Sequence, residues 1–351
     1  MSRLVPTAPI GSVTEPADEA RLPLLDRFQG LWISVVLVVA IIFFALVIPG
    51  FRFVNSTNLA NITLDASQIL ILSVATTFIL IAAGIDLSIG AIVVLASVVA
   101  ASAMARFSGT PAEVTSFQFP QAHVGIPIGI AAALVTGLVC GFLNGLIITR
   151  LRITPFIVTL GTLGIYSGLA MVLAGGKNQV YIPPGLQQSV GVARLGGVVP
   201  VPVVIALVIA AIGWIILVKT RFGVYTFAIG ASEEAARLAG INVRRHLLVL
   251  YTISGLAAGI SGVIDVARFS TTSIEAHTTD NLQAIAAVVI GGTSLFGGIG
   301  GMGGSIIGSL FPSTLKNGFI QMGVEPFWQP VVIGIVLIIA VTYDTFRRSR
   351  A

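Results

Sequence analysis

LQAIAAVVIGGTSLFGGIGGMGGSIIGSLFPSTL, residues 282–315, runs for 34 residues without a charged side chain and contains nine glycines. A bilayer core of about 30 Å takes about 20 apolar residues as a helix, so this stretch is too long for one crossing. Its glycines cluster at Gly297-Gly298-Ile299-Gly300-Gly301-Met302-Gly303-Gly304. The stretch reads as two short spans, or one span and a re-entrant segment, joined by a Gly-rich turn. Either reading places the chain in a membrane.

Working outward, uncharged runs of spanning length lie at 31–48, 68–83, 87–105, 124–149, 153–174, 198–218, 246–264 and 327–343. With two pieces from 282–315 they make about ten spans, an all-α polytopic transmembrane bundle with short or broken Gly-rich segments. Composition agrees, because 56% of the 351 residues are hydrophobic and only 9% charged, against about 25% charged in a soluble domain. Residues 1–30 form a polar tail with a short interfacial helix expected near Leu24–Phe28, 31–345 the membrane domain, and 346–351 a basic tail. The first apolar run starts only at Leu31 and is long enough to span, unlike a cleaved signal.

Charge orients the bundle. With ten spans and a cytoplasmic amino terminus, 13 of the 19 basic residues fall on cytoplasmic segments, the bias of a protein in a bacterial inner membrane with both termini inside. The net charge of +5 is scattered between apolar runs, which argues against a nucleic-acid partner.

Among the motifs, Ala83-Gly84-Ile85-Asp86-Leu87-Ser88-Ile89-Gly90 sets one carboxylate between two apolar runs. An acid near membrane depth is costly unless paired or solvated. Asp86 reads either as a cap on the following helix or as part of a broken helix beside a pathway, and the two roles are compatible. Gly137, Gly141 and Gly145 lie on one helical face, for helix packing or for lining a substrate path. Asp265 and Arg268 have the spacing of a local ion pair, and His246 falls at a membrane boundary. The histidines lack metal-ligand spacing, and Cys140 sits in an apolar run as a small core residue. The Asn55 and Asn61 sequons are discounted. No phosphate-binding loop, nucleophile elbow or zinc-protease motif is present, so no catalytic residue, metal or cofactor is expected.

The 219–245 loop encodes a short helix: Ser232 as N-cap, Glu233 and Glu234 in the first turn, Gly240 as the stop. So short a helix is marginal alone in water, which implies docking. Ala235, Leu238 and Ile241 would form its apolar face, with Glu233, Glu234 and Arg237 on the rim.

These segments together resemble the ribose/xylose/galactose-type permeases of bacterial ATP-binding-cassette importers. The resemblance covers roughly 50–345. It rests on 84–90, on Asn144-Gly145 through 153–162, on the 219–245 loop and on 284–298. It implies a ten-span permease that pairs with a second permease subunit, identical or related. The partners it implies are a cytoplasmic ATPase and a periplasmic sugar-binding protein. It makes 232–240 the coupling helix, with Ser232, Glu233, Glu234, Ala235, Arg237, Leu238 and Gly240 facing the ATPase. Asp86, Ser88, Asn144, Thr293 and Ser294 are placed along the translocation pathway. One departure is visible: the family pattern has Glu-Leu-Asp before Ala-Ile-Ala-Ala, and here Asn281-Leu282-Gln283 stands instead. An ion-coupled secondary transporter and a branched-chain amino-acid permease are the rival readings. The loop's docking helix weighs against the first, and Gly-Ile-Asp-Leu-Ser against the second.

Overall fold

The computed structural model describes residues 29–275, 277–325 and 328–348; the interfacial helix expected at Leu24–Phe28 and the last three residues of the basic tail lie outside them. Twelve helices carry the fold: α1 Gln29–Val47, α2 Ser56–Ile81, α3 Ile89–Phe107, α4 Ala122–Leu151, α5 Pro155–Ala174, α6 Val201–Lys219, α7 Arg221–Ala231, α8 Glu233–Leu238, α9 Val243–Phe269, α10 Asp280–Ile290, α11 Met302–Gln321 and α12 Trp328–Arg348. The strands among the described residues are one two-residue antiparallel pair, Arg194–Leu195 with Val199–Pro200.

Ten of these helices match the ten apolar pieces read from the sequence. Six are long and apolar enough to cross a membrane: α2, α3, α4, α5, α6 and α9. The 282–315 stretch resolves into an 11-residue α10 and a 20-residue α11. At 1.5 Å per residue α10 reaches about 16 Å, half a bilayer core. Two boundaries need correction. The helix expected at 68–83 starts at Ser56, because the Asn55 side chain accepts from the Thr57 N–H at 3.0 Å and caps it; its extra turns carry Asp65 into the bundle. The 219–245 segment is not an open loop, since α7 occupies its first half.

Burial sorts the helices into a centre and a surround. The apolar window of α2 is 89% buried and that of α3 72%, whereas those of α4, α5 and α6 are 28% buried. The outer helices expose large apolar side chains such as Val135, Val139, Ile165, Val208 and Ile215, the faces a bilayer would cover. α4 and α9 touch backbone to backbone. A Cβ on Gly137 would lie 2.2 Å from the Gly255 carbonyl oxygen, and one on Gly141 2.2 Å from that of Tyr251. Lipid gives helices no hydrophobic drive to associate, so close packing through small residues holds them instead. The Gly137–Gly145 face is therefore a packing face.

Candidate functional site

The chain between α2 and α3 is the first broken segment, and it is organised by Asp86. Asp86 Oδ1 accepts from the Ser88 N–H at 3.0 Å and the Ser88 hydroxyl at 2.7 Å, and Oδ2 accepts from Ser254 on α9 at 2.7 Å. Asn144 on α4 donates to the Ser88 hydroxyl at 2.8 Å, and Tyr166 on α5 donates to Asn144 Oδ1 at 3.1 Å. Tyr251 on α9 donates to the Ile85 carbonyl at 3.2 Å. Asp86, Ser88 and Asn144 are all buried. Asp86 thus fixes the turn leading into α3 and also ties that turn to α9; the network adds α4 and α5. A buried network of this kind holds one arrangement only while every member is satisfied.

The second broken segment, 291–301 between α10 and α11, lies against the first. Gly298 N–H donates to the Ile81 carbonyl at 2.9 Å, at the end of α2. Gly297 and Gly298 have φ of +83° and +76°, the left-handed region where glycine alone is free of strain. A Cβ on Gly230, near the end of α7, would sit 1.7 Å from the Ile81 oxygen and 2.6 Å from the Gly298 nitrogen. So the close of α7 is wedged onto both breaks at once. Thr293 and Ser294 are buried beside this contact, and the Thr293 hydroxyl has no hydrogen-bond partner among the described residues. The structure therefore gathers Asp86, Ser88 and Asn144 into one network and puts Thr293 and Ser294 on the adjoining break.

Immediately after the wedge comes α8. Ser232 caps it as expected, accepting from the Ala235 N–H at 3.2 Å; Glu233 and Arg237 pair at 2.6 Å, and Gly240 ends it with φ +84°. Of the expected apolar face, Ala235 and Leu238 are exposed, Leu238 at 85%, and are left open to a partner, whereas Ile241 instead packs partly into the core; Ala236 is the buried residue that seats α8 on the bundle. His246 needs correction. It is a buried pin rather than a boundary residue, stacked on Phe222 at 4.2 Å with Nε2 2.8 Å from the Thr226 hydroxyl, so it locks α7 to α9.

At the other end of α2 lies a polar cleft of about 430 Å³. Asp65 is sixteen residues before Ile81, about 24 Å along the helix. The Asp265–Arg268 pair expected from spacing does not form. Arg268 pairs with Asp65 across the cleft and donates to Gln68 Oε1 at 2.7 Å. Asp265 instead lies 3.1 Å from His277 Nε2, whose Nδ1 is 2.5 Å from Asp280. Burial alone would lower the His277 pKa, but the Asp280 and Asp265 carboxylates beside it raise it to about 10, so the ring is a cation at neutral pH. A Cβ on Gly90 would be 2.4 Å from the His277 carbonyl oxygen, and Asn281 donates to the Leu87 carbonyl at 3.0 Å. The stretch around the first break thus runs from contacts with Asn281 and His277, at Leu87 and Gly90, to the wedge at Ile81 and Ala83.

None of the five pathway residues read from the sequence lines the cleft. The signal that could have found it was present: Asp65, Asp265 and Lys316 each interrupt an apolar helix, and such charges face protein interior or water.

A helical bundle with two apposed breaks, a polar cleft on one side of them and, on the other, a helix wedged onto both and followed by a capped surface helix has the architecture of a membrane permease. The family described as "Branched-chain amino acid transport system / permease component" matches residues 58–341, and the chain belongs to it. The chain is similar to the fructose import permease of Rhizobium meliloti, at 33% identity over 90% of this chain and 85% of that protein. It is 35% identical to the ribose import permease of Escherichia coli K12 over 84% and 87%, and 36% identical to that of Bacillus subtilis over 91% and 92%. No solved structure matches the chain.

Proposed function

We propose that the chain is the permease subunit of an ATP-binding-cassette importer that carries a monosaccharide across the bacterial inner membrane. A separate cytoplasmic ATPase drives it, a periplasmic binding protein supplies the sugar, and a second permease subunit completes the pore. In this reading the chain makes ten passes, with both termini and α8 in the cytoplasm and the cleft facing the periplasm. The import permeases of fructose and ribose, alike over most of their length, favour a sugar over the branched-chain amino acid of the family description.

The observation that carries the mechanism is the Gly230 wedge. α8 offers Ser232, Glu233, Glu234, Ala235, Arg237, Leu238 and Gly240 to the ATPase, and α7 joins it to Ile81 and Gly298 with no intervening side chain. A push on α8 is then delivered to the backbone of both breaks. Parting the breaks would open a route from the cleft past Asp86, Ser88 and Asn144 to Thr293 and Ser294, where non-helical backbone is tolerated because protein or water surrounds it.

Leu238→Asp tests the coupling. Inserted protein should be unchanged, since Leu238 packs on nothing in the bundle, while the ATPase is lost from a pull-down and uptake of labelled ribose, fructose or galactose ceases. Normal uptake with the ATPase retained defeats the coupling role, and uptake of labelled leucine in place of any sugar by the unmodified complex defeats the substrate class.

A further inference from the structure

The cleft has a composition that selects its occupant. Three carboxylates, on Asp65, Asp265 and Asp280, face three cations, on Arg268, His277 and Lys316. The balance leaves no net field to draw an ion, so the cleft suits a neutral ligand. It also alternates acceptors with donors at short range, and a sugar hydroxyl both donates and accepts. One wall is apolar: Phe269 is 55% exposed, with the Arg268 guanidinium 5.0 Å from its ring centre. An exposed aromatic ring, with the guanidinium over it and hydrogen-bonding groups nearby in the same cleft, matches a cyclic sugar, which has an apolar C–H face and a rim of hydroxyls. The volume, about 430 Å³, is that of a small-molecule pocket. Gln283 lines this cleft as a neutral amide, and a carboxylate there would tip the balance negative.

We propose that the cleft between α2, α9, α10 and α11 is a binding site for a neutral cyclic monosaccharide, held over Phe269 by the surrounding carboxylate, guanidinium and amide groups before it meets the broken segments. The proposal rests on the sugar-importer reading and adds a resting place for the sugar on the permease itself.

Thiol protection tests it on the full chain in lipid nanodiscs. Cysteine replaces Ser273 or Gln283, one at a time, in a chain carrying Cys140→Ala, and alkylation by an impermeant maleimide is timed with ribose, fructose, galactose, leucine or inorganic phosphate. At a sugar concentration ten times its dissociation constant, the rate should fall about tenfold, the factor 1 + [L]/Kd for an occupied site. Leucine and phosphate should give no protection, and Phe269→Ala should weaken the protection by sugar. If no sugar protects either cysteine while cells expressing the whole complex still import one, the cleft assignment is overturned and the importer reading stands. Protection by phosphate rather than sugar overturns the neutral-ligand assignment. Import of leucine with no sugar import removes the reading on which the proposal rests.

Discussion

The two ends of α2 solve the same problem by opposite chemistry. At the cleft end, Asp65, Arg268, Asp265, His277 and Asp280 join helices through largely buried ionisable side chains that line a polar cleft. At the α7 end, Ile81, Gly230 and Gly298 join helices through bare backbone. Side-chain pairs can lengthen, exchange partners or admit a polar guest and still be satisfied. A backbone contact with a Cβ position 1.7 Å from a carbonyl oxygen has no such slack. The first end is suited to accommodating, the second to transmitting.

If that contrast holds, the largest stability loss belongs to the charged end. Arg268→Gln strands Asp65, and breaking a largely buried pair costs on the order of 3 kcal/mol; the melting temperature in nanodiscs should drop, and Asp65→Asn in the same chain should restore part of it. Gly230→Ala should cost less stability, about 1–3 kcal/mol by overpacking, yet abolish uptake per inserted molecule. A variant that transports normally would show that the wedge transmits nothing. Asp86→Asn sharpens the middle ground. The amide still accepts from Ser88, and the Ser254 hydroxyl can turn to accept from it, so stability should fall by only about 1 kcal/mol while uptake falls more than the amount of inserted protein.

A further expected effect is one of pH, and it again separates the ends. His277 titrates near 10 in the fold against an ordinary 6.5. Because the folded value is the higher, its stabilisation is complete below about 6.5, declines as pH rises from there, and is gone above about 10. The groups facing it are Asp265 and Asp280, with the Arg268–Asp65 pair across the cleft. A melting curve measured across that range should slope downward in the native chain and flatten in His277→Gln.

The sequence made the breaks legible because an isolated acid or a run of glycines has few physical explanations inside a membrane. Asp86 had to be paired; Ser88, two residues on, was the polar group at hand, whereas its second partner, Ser254, lies 168 residues away and is invisible in local spacing. The misreadings share a different cause. Asp265 and Arg268 are correctly spaced neighbours, but their helix presents both to other elements, and a partner 203 residues away leaves no trace in local spacing. For α8, two turns are too few to show which side meets the bundle, so Ala236, the residue that seats it, gives no signal of its own. α7 was hidden because its short, weakly apolar pattern lies between Lys219 and a run of charges. The cleft was missed because its charges come from four helices, each with a plausible lone explanation.

The glycine contact of α4 with α9 bears on which parts of the pore can move. Gly137, Gly141, Gly255 and Gly259 bring the two backbones so close that neither helix can slide past the other without collision. The pair is therefore a fixed spine, and it also carries Asn144 and Ser254 of the Asp86 network. In the proposed cycle, motion then falls to the helices that end or begin at the second break and its contact, α2, α10 and α11. A cross-link stapling α4 to α9 would then leave the transport cycle running, and one stapling α10 to α9 would stop it.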